Sequence, residues 1–329
     1  MPFNDYLSIQ YVEDESIYFI VHGPVEEMRQ VLLCKYDMKN RETTILDEFE
    51  GEDLYISSFA YLNDQLVYST MKSYDERYEE YTMYVKQGEE TVEVDRDHLL
   101  TSYVNSIPKL IKVGNHLYYG TVFHDLDESG NGIGGYKFVK VLDDAVEVLF
   151  SNEFKIREYV GDWETSERYR KLIFNDEWVA ALTWSNTKSY VYLYNDRTSE
   201  KKIVEADGMQ DYMGIMNDEL FYAEVFDGMS YYQTELPYML YDLSNDTIDE
   251  IGEDIYQYTS SLGTNALYCF DERDNYRVIY KDGTSDIKVI NIDFEGIESL
   301  PLFGGTAYPL NENQFVITTV NEVWLCEVQ

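Results

Sequence analysis

The chain has 329 residues, 44% of them hydrophobic and 16% aromatic, with 32 Tyr and 15 Phe; this is enough apolar surface for a core and excludes global disorder. Its length exceeds the roughly 250–300 residues at which one compact core stops growing, so several domains or a repeat architecture is required. With 25 Lys and Arg against 63 Asp and Glu, the formal charge is 25 − 63 = −38, a field that repels phosphate backbones and anionic membrane, argues against a nucleic-acid partner and steers cationic partners in.

In chain order, an Asn- or Asp-bearing turn runs seven times into a short apolar and aromatic strand. The first three are Glu13-Asp14-Glu15-Ser16 before Ile17-Tyr18-Phe19, Asn63-Asp64-Gln65 before Leu66-Val67-Tyr68, and Gly114-Asn115-His116 before Leu117-Tyr118-Tyr119. Then come Asn175-Asp176-Glu177 before Trp178-Val179-Ala180, Asn217-Asp218-Glu219 before Leu220-Phe221-Tyr222, Thr264-Asn265-Ala266 before Leu267-Tyr268-Cys269, and Asn311-Glu312-Asn313-Gln314 before Phe315-Val316-Ile317. Successive strand starts are 49, 51, 61, 42, 47 and 48 residues apart. Asn and Asp fit these turns because they tolerate positive φ and hydrogen-bond their own backbone. Apolar positions recur at spacing two far more than at three and four, so the pattern predicts strands and no helix.

Each period reads as four strands, A to D. The second predicts Ile56–Leu62, Leu66–Ser69, Tyr81–Val85 and Thr91–Val94, with Gln87-Gly88 turning between the last two. Third strands resemble one another: Leu32 to Asp37, Tyr192 to Asn195 and Met239 to Asp242. The last period ends without an outermost strand. Either Met1–Asp5 supplies it, so that no long edge stays open, or the last unit has three strands.

These seven units resemble the β-propeller repeat proteins over Tyr6 to Val328, a resemblance of architecture and of no functional family. It implies an all-β propeller of seven four-stranded antiparallel blades in one domain, residues 1–329. The blades lie at about 6–50, 54–96, 106–150, 157–205, 210–252, 256–292 and 300–329. No Trp-Asp dipeptide closes a third strand, diglycines occur only at Gly134-Gly135 and Gly304-Gly305, and the Asp-box is absent. Propellers host enzymes, scaffolds and receptors alike, so the fold names no function.

The resemblance puts the B-to-C connections on one face, and the longer ones span His22–Gln30, Thr70–Glu80, Gly120–Gly135 and Glu224–Pro237. Long loops on a rigid scaffold are where binding groups are expected. Tyr74, Tyr78 and Tyr81 punctuate one of them and Tyr231-Tyr232 another, amid carboxylates, a composition suited to sugars, basic peptides or quaternary amines. A Tyr-rich chain also produces such clusters by composition alone.

Asp125-Leu126-Asp127-Glu128-Ser129-Gly130-Asn131 places oxygen ligands at alternate positions before a Gly, as in a calcium loop. Asp125, Asp127 and Ser129 would ligate through side chains and Asn131 through its carbonyl. The match then breaks, because Tyr136 stands where a bidentate Glu belongs and the mid-loop apolar residue falls at Ile133. An acidic surface turn is the simpler reading, with no cofactor required.

The four histidines, His22, His98, His116 and His124, have no metal-ligand spacing, and no nucleophile elbow, phosphate loop or dinucleotide fingerprint occurs. Cys34, Cys269 and Cys326 are odd in number and set in apolar strands, which suits core thiols in a reducing cytoplasm. Met1-Pro2-Phe3-Asn4-Asp5 leads straight into a strand pattern without a leader, and no apolar run approaches the ~18 residues of a membrane span. The expected function is therefore a cytoplasmic binding or scaffold protein taking a protein, peptide or small ligand on the long-loop face. The alternative is a propeller hydrolase or lyase acting on a carbohydrate or lactone, with or without calcium.

Overall fold

The computed structural model describes residues 6–13, 15–23, 29–51, 55–73, 78–100, 109–126, 132–155, 168–184, 188–207, 209–225, 238–252, 258–262, 266–270, 276–281, 287–292, 306–311, 314–318 and 323–327. They form seven antiparallel sheets and no helix. The first sheet holds β1 (Tyr6–Glu13), β2 (Ser16–His22), β3 (Arg29–Asp37) and β4 (Glu42–Gly51). The second holds β5 (Tyr55–Leu62), β6 (Gln65–Ser73), β7 (Tyr78–Gln87) and β8 (Glu90–Leu100), and the third β9 (Ile111–Val113), β10 (His116–Leu126), β11 (Gly132–Val141) and β12 (Val146–Lys155). In the fourth are β13 (Arg168–Phe174), β14 (Trp178–Trp184), β15 (Lys188–Asn195) and β16 (Lys201–Asp207). The fifth comprises β17 (Met209–Met216), β18 (Glu219–Val225), β19 (Tyr238–Asp242) and β20 (Thr247–Gly252). The sixth comprises β21 (Tyr258–Leu262), β22 (Ala266–Phe270), β23 (Tyr276–Lys281) and β24 (Ile287–Ile292). The seventh has three strands among the described residues, β25 (Thr306–Asn311), β26 (Gln314–Thr318) and β27 (Val323–Glu327). Met1–Asp5 lies outside the described residues.

Strand order follows chain order within every sheet, the blade repeat of a β-propeller. The fold is therefore the all-β propeller that the turn period predicts. The chain divides into two compact units, Met1–Lys171 and Leu172–Gln329.

A single sheet of this kind has two apolar faces and cannot cover either alone. In the first unit, the first and second sheets bury Tyr18, Ile20, Val31 and Leu33 against Ile56, Phe59, Leu66 and Tyr68. The second and third bury Val67, Met71, Tyr81, Met83 and Val85 with Leu117, Tyr119, Val139 and Val141. Each large side chain so buried contributes about 1.5–3 kcal/mol, so the cores between sheets hold the unit together. Polar groups of the first strands add direct ties. The Tyr61 N–H donates to Tyr11 Oη at 2.9 Å, and the Leu110 N–H donates to Ser58 Oγ at 3.0 Å. In the second unit, Trp178, Leu182, Val191 and Leu193 pack with Ile215, Leu220, Tyr222 and Leu243. Fourth strands are far more exposed: along β4 only the second half is partly covered.

The Asn and Asp turns use these residues in two ways. Asn63 and Asp64 both adopt left-handed backbone, φ 50° and 62°, and Asn217 does so at 53°. Asn175 instead works through its side chain, with Oδ1 accepting the N–H groups of Glu177 and Trp178 at 3.0 and 2.8 Å. The likeness among third strands has a cause at their ends. Asp37, Asn195 and Asp242 each accept two backbone N–H groups, from residues two and three further on. Each of these turns then closes on a left-handed residue, Arg41, Ser199 or Asp246.

Candidate functional site

Long connections are shorter, and hairpins longer, than the sequence pattern suggests. β6 and β7 stay paired out to Ser73 opposite Glu79, inside the expected Thr70–Glu80 loop. β10 and β11 stay paired out to Leu126 opposite Gly132, inside the expected Gly120–Gly135 loop. β8 continues to Leu100 instead of stopping at Val94.

That extension brings together a nearly buried group of ionisable side chains from two sheets. Asp95 and Asp97 alternate along β8 and therefore share a face with their partners on β7, Met83 and Tyr81. On the facing sheet, Lys137 of β11 stands opposite Thr121, two residues beyond Tyr119 on β10. Lys137 Nζ lies 2.6 Å from Asp95 Oδ1 and 2.8 Å from Asp97 Oδ2. Tyr119 donates its hydroxyl to the other oxygen of Asp95, Oδ2, and the Tyr81 ring meets that of Tyr119 edge-on at 5.9 Å. The three charged side chains keep only 10–16% of their exposure.

Burial sets the electrostatics. Desolvation raises the Asp97 carboxyl to about 6, the Asp95 charge adding to the rise and the Lys137 charge opposing it. It also lifts both tyrosine hydroxyls well above the usual value, helped by the Asp95 charge. On the opposite face of the second sheet, Glu80 is 6% exposed and contacts Lys72 at 2.8 Å and Arg96 at 3.4 Å. Burial pushes Glu80 up, yet the Lys72 hydrogen bond and the Arg96 and Lys72 charges prevail and hold it below the usual range. His98 Nε2 stands 3.8 Å from Glu80 Oε2. One sheet edge thus carries a proton-accepting carboxyl on one face and a fully ionised, paired carboxylate on the other.

The expected site residues fare differently. Tyr81 does not belong to an exposed aromatic platform: it points into the core between sheets and is fully buried, because strand alternation from Met83 turns it inward. Tyr78 opens β7, paired opposite Leu100. Tyr74, Tyr231 and Tyr232 lie outside the described residues. Asp125 is a strand residue of β10, paired opposite Ile133, while Asp127, Ser129 and Asn131 lie outside the described residues. Among the described residues, no three His, Cys, Asp or Glu side chains come together as a metal site. His124 is buried, and desolvation lowers its imidazole to about 4; His22 is buried and stacks on Tyr55 at 4.8 Å. Cys34 and Cys326 are buried free thiols raised by desolvation, Cys326 to about 11. No helix among the described residues is long and apolar enough to cross a membrane.

Sequence reading misses Asp95, Asp97 and Lys137 as a unit. The available signal was the spacing of two between the aspartates; what hides it is the register shift that skips Val94, which brings Asp95 and Asp97 opposite Met83 and Tyr81 although they are out of phase with Val92 and Val94 in the sequence.

No protein-family model matches the chain, and no curated protein matches it in sequence. Its fold is nevertheless that of part of several peptidases. Oligopeptidase B from Trypanosoma brucei is 12% identical with a TM-score of 0.57, over 94% of this chain and 44% of that one. Prolyl oligopeptidase B from Galerina marginata is 8% identical with a TM-score of 0.56, over 99% and 52%. Pyrococcus horikoshii acylaminoacyl peptidase is 10% identical with a TM-score of 0.52, over 98% and 51%. The chain spans about half the length of these peptidases or less. At such identity the likeness is one of fold.

Proposed function

We propose that the chain is a cytoplasmic binding or scaffold propeller. It recognises a protein, peptide or small ligand through its long B-to-C connections, and its charge favours cationic partners. The observation that carries this reading is the paired extension of β6–β7 and β10–β11 to Ser73–Glu79 and Leu126–Gly132, above a base where Lys137 joins β11 to both aspartates of β8. A stiff base lowers the ordering cost of binding. The sequences these hairpins connect, with Tyr74, Asp75, Glu76 and Arg77 in one and Asp127 and Glu128 in the other, suit basic side chains through carboxylate pairing and cation–π contact.

The test is a peptide array of lysine- and arginine-rich, neutral and acidic sequences probed with the purified chain at low and raised salt. Basic peptides are expected to be retained, to weaken with salt, and to be lost when Tyr74, Tyr78, Tyr231 and Tyr232 are all changed to Ala. Retention indifferent to peptide charge, or unaltered by the four substitutions, overturns the proposal.

A further inference from the structure

We infer that the Asp95–Lys137–Asp97 bridge is a proton-responsive joint between the second and third sheets, tighter when Asp97 is protonated than when it is ionised. Every residue of this joint belongs to the first unit.

The charges at this joint do not cancel. Two carboxylates of β8 meet a single ammonium from β11 in a place where all three side chains are nearly covered. With every group ionised the site carries a net charge of one negative unit, and a desolvated site disfavours that surplus. A proton removes it. The geometry also says where the proton goes. Asp95 accepts from two donors, Lys137 Nζ through Oδ1 and the Tyr119 hydroxyl through Oδ2, which holds its charge in place. Asp97 has the Lys137 ammonium at 2.8 Å as its ion-pair partner among the described residues, with a weaker influence from the His98 charge.

The remaining groups around Asp97 do not alter the count. Tyr81 faces it from β7 and Tyr119 from β10; both hydroxyls are raised by burial and stay neutral. His98, next along β8, stands beside Glu80 on the opposite face with Lys72, Arg96 and Glu93, and its charge opposes the rise of Asp97 less than that of Lys137 does. Lys137 on β11 is therefore the cation that Asp95 and Asp97 share.

Desolvation raises Asp97 to about 6, so proton uptake falls in a range that cells and their compartments reach. The sign is fixed by linkage. The folded carboxyl holds its proton at higher pH than the unfolded one, so this group's contribution to stability is complete below the unfolded value of 3.8 and is lost as pH rises through about 6. An ion pair at a blade interface would ordinarily be expected to strengthen as both partners ionise; here ionisation of the second carboxylate weakens the joint.

The decisive variant is Asp97→Asn, which fixes the uncharged state. Its unfolding midpoint is expected to lie above that of the unmodified chain by about 2–4 °C at pH 7.5, with the difference roughly halved at pH 5 and closing only towards the unfolded value of 3.8. A difference that does not change with pH, whatever its sign, overturns the inference. The pH dependence is read as a difference because other groups titrate in the same range. A second variant covers the case in which Asn packs badly. Lys137→Gln leaves two carboxylates facing each other, so its deficit at pH 7.5 is expected to shrink at pH 5, and a constant deficit counts against the joint. Glu50→Gln, at an exposed position of β4, is the control and should show no pH-dependent difference. Hydrogen exchange corrected for intrinsic rates should place the change in the amides of β8 and β11.

Discussion

Trp178 donates its indole N–H to Asp218 Oδ1 at 2.7 Å, linking the turn that opens β14 to the turn that opens β18. Beside it, Asn175 Nδ2 donates to the carbonyl of Asn217 at 3.0 Å. Two hairpin turns of the second unit thus hold each other, and Trp178 is 5% exposed. Asp218→Ala leaves the indole N–H without this acceptor and is expected to cost about 1–3 kcal/mol in urea denaturation. A double-mutant cycle with Trp178→Phe should give a coupling near 1 kcal/mol, whereas a coupling within about 0.3 kcal/mol of zero would show the turns to be independent.

The hairpin between β5 and β6 makes a different demand. Both Asn63 and Asp64 lie in the left-handed region, where an ordinary L-residue costs about 1–2 kcal/mol. Asn63→Ala is therefore expected to destabilise by about 1 kcal/mol, while Asp64→Gly should be neutral or slightly stabilising. At Asn175, by contrast, Gly would not substitute, because there the side-chain oxygen caps the turn. Equal responses to Gly at 64 and 175 would refute this division of labour.

These two turns show how far the sequence could be read. Asn-Asp between apolar runs announces a hairpin, and strand pairing follows from it. The Asp that ends a third strand was visible as a likeness between repeats, although its reason, two accepted N–H groups at Asp37 and again at Asp242, needs backbone geometry. Strand ends were harder. β8 passes from Val94 into Asp95-Arg96-Asp97-His98, a run whose polarity resembles a loop. Its inward aspartates stay in the sheet because a lysine 42 residues beyond Asp95 neutralises part of their charge, and hydropathy does not register a partner so distant. Tyr81 fails for the same reason in reverse: a tyrosine near a loop reads as exposed unless the phase of the strand is known.

His124 and Asp97 act in opposite directions across one pH window. His124 is buried, and its folded value of about 4 lies below the ordinary 6.5. The unfolded chain takes up that proton first, so stability is lost as pH falls from about 6.5 towards 4, by on the order of 3 kcal/mol at full extent. His124→Leu is expected to remove this loss and flatten the acid limb of a stability-against-pH curve. An unchanged limb would mean that the imidazole is charged in the folded state.

Close approach of backbone to backbone ranks two glycines. A Cβ on Gly135 would stand 2.4 Å from the Asn152 carbonyl oxygen and 2.5 Å from the Phe123 ring, whereas for one on Gly120 the nearest atoms belong to the Tyr169 side chain, at 2.5–2.6 Å. A ring can move; a carbonyl in a ladder cannot without breaking its pairing. Gly135→Ala is expected to cost about 3 kcal/mol or more and Gly120→Ala about 1–3 kcal/mol, read from thermal or urea unfolding. The reverse order would show the strand carrying Asn152 to be the softer element.

Cys34 sits in β3 of the first unit and Cys326 in β27 of the second, both shielded and with thiols raised by their surroundings. Neither is a ready nucleophile while its sheet is intact. Timed alkylation followed by peptide mapping would therefore clock the transient opening of each half of the molecule separately, using labels the chain already carries.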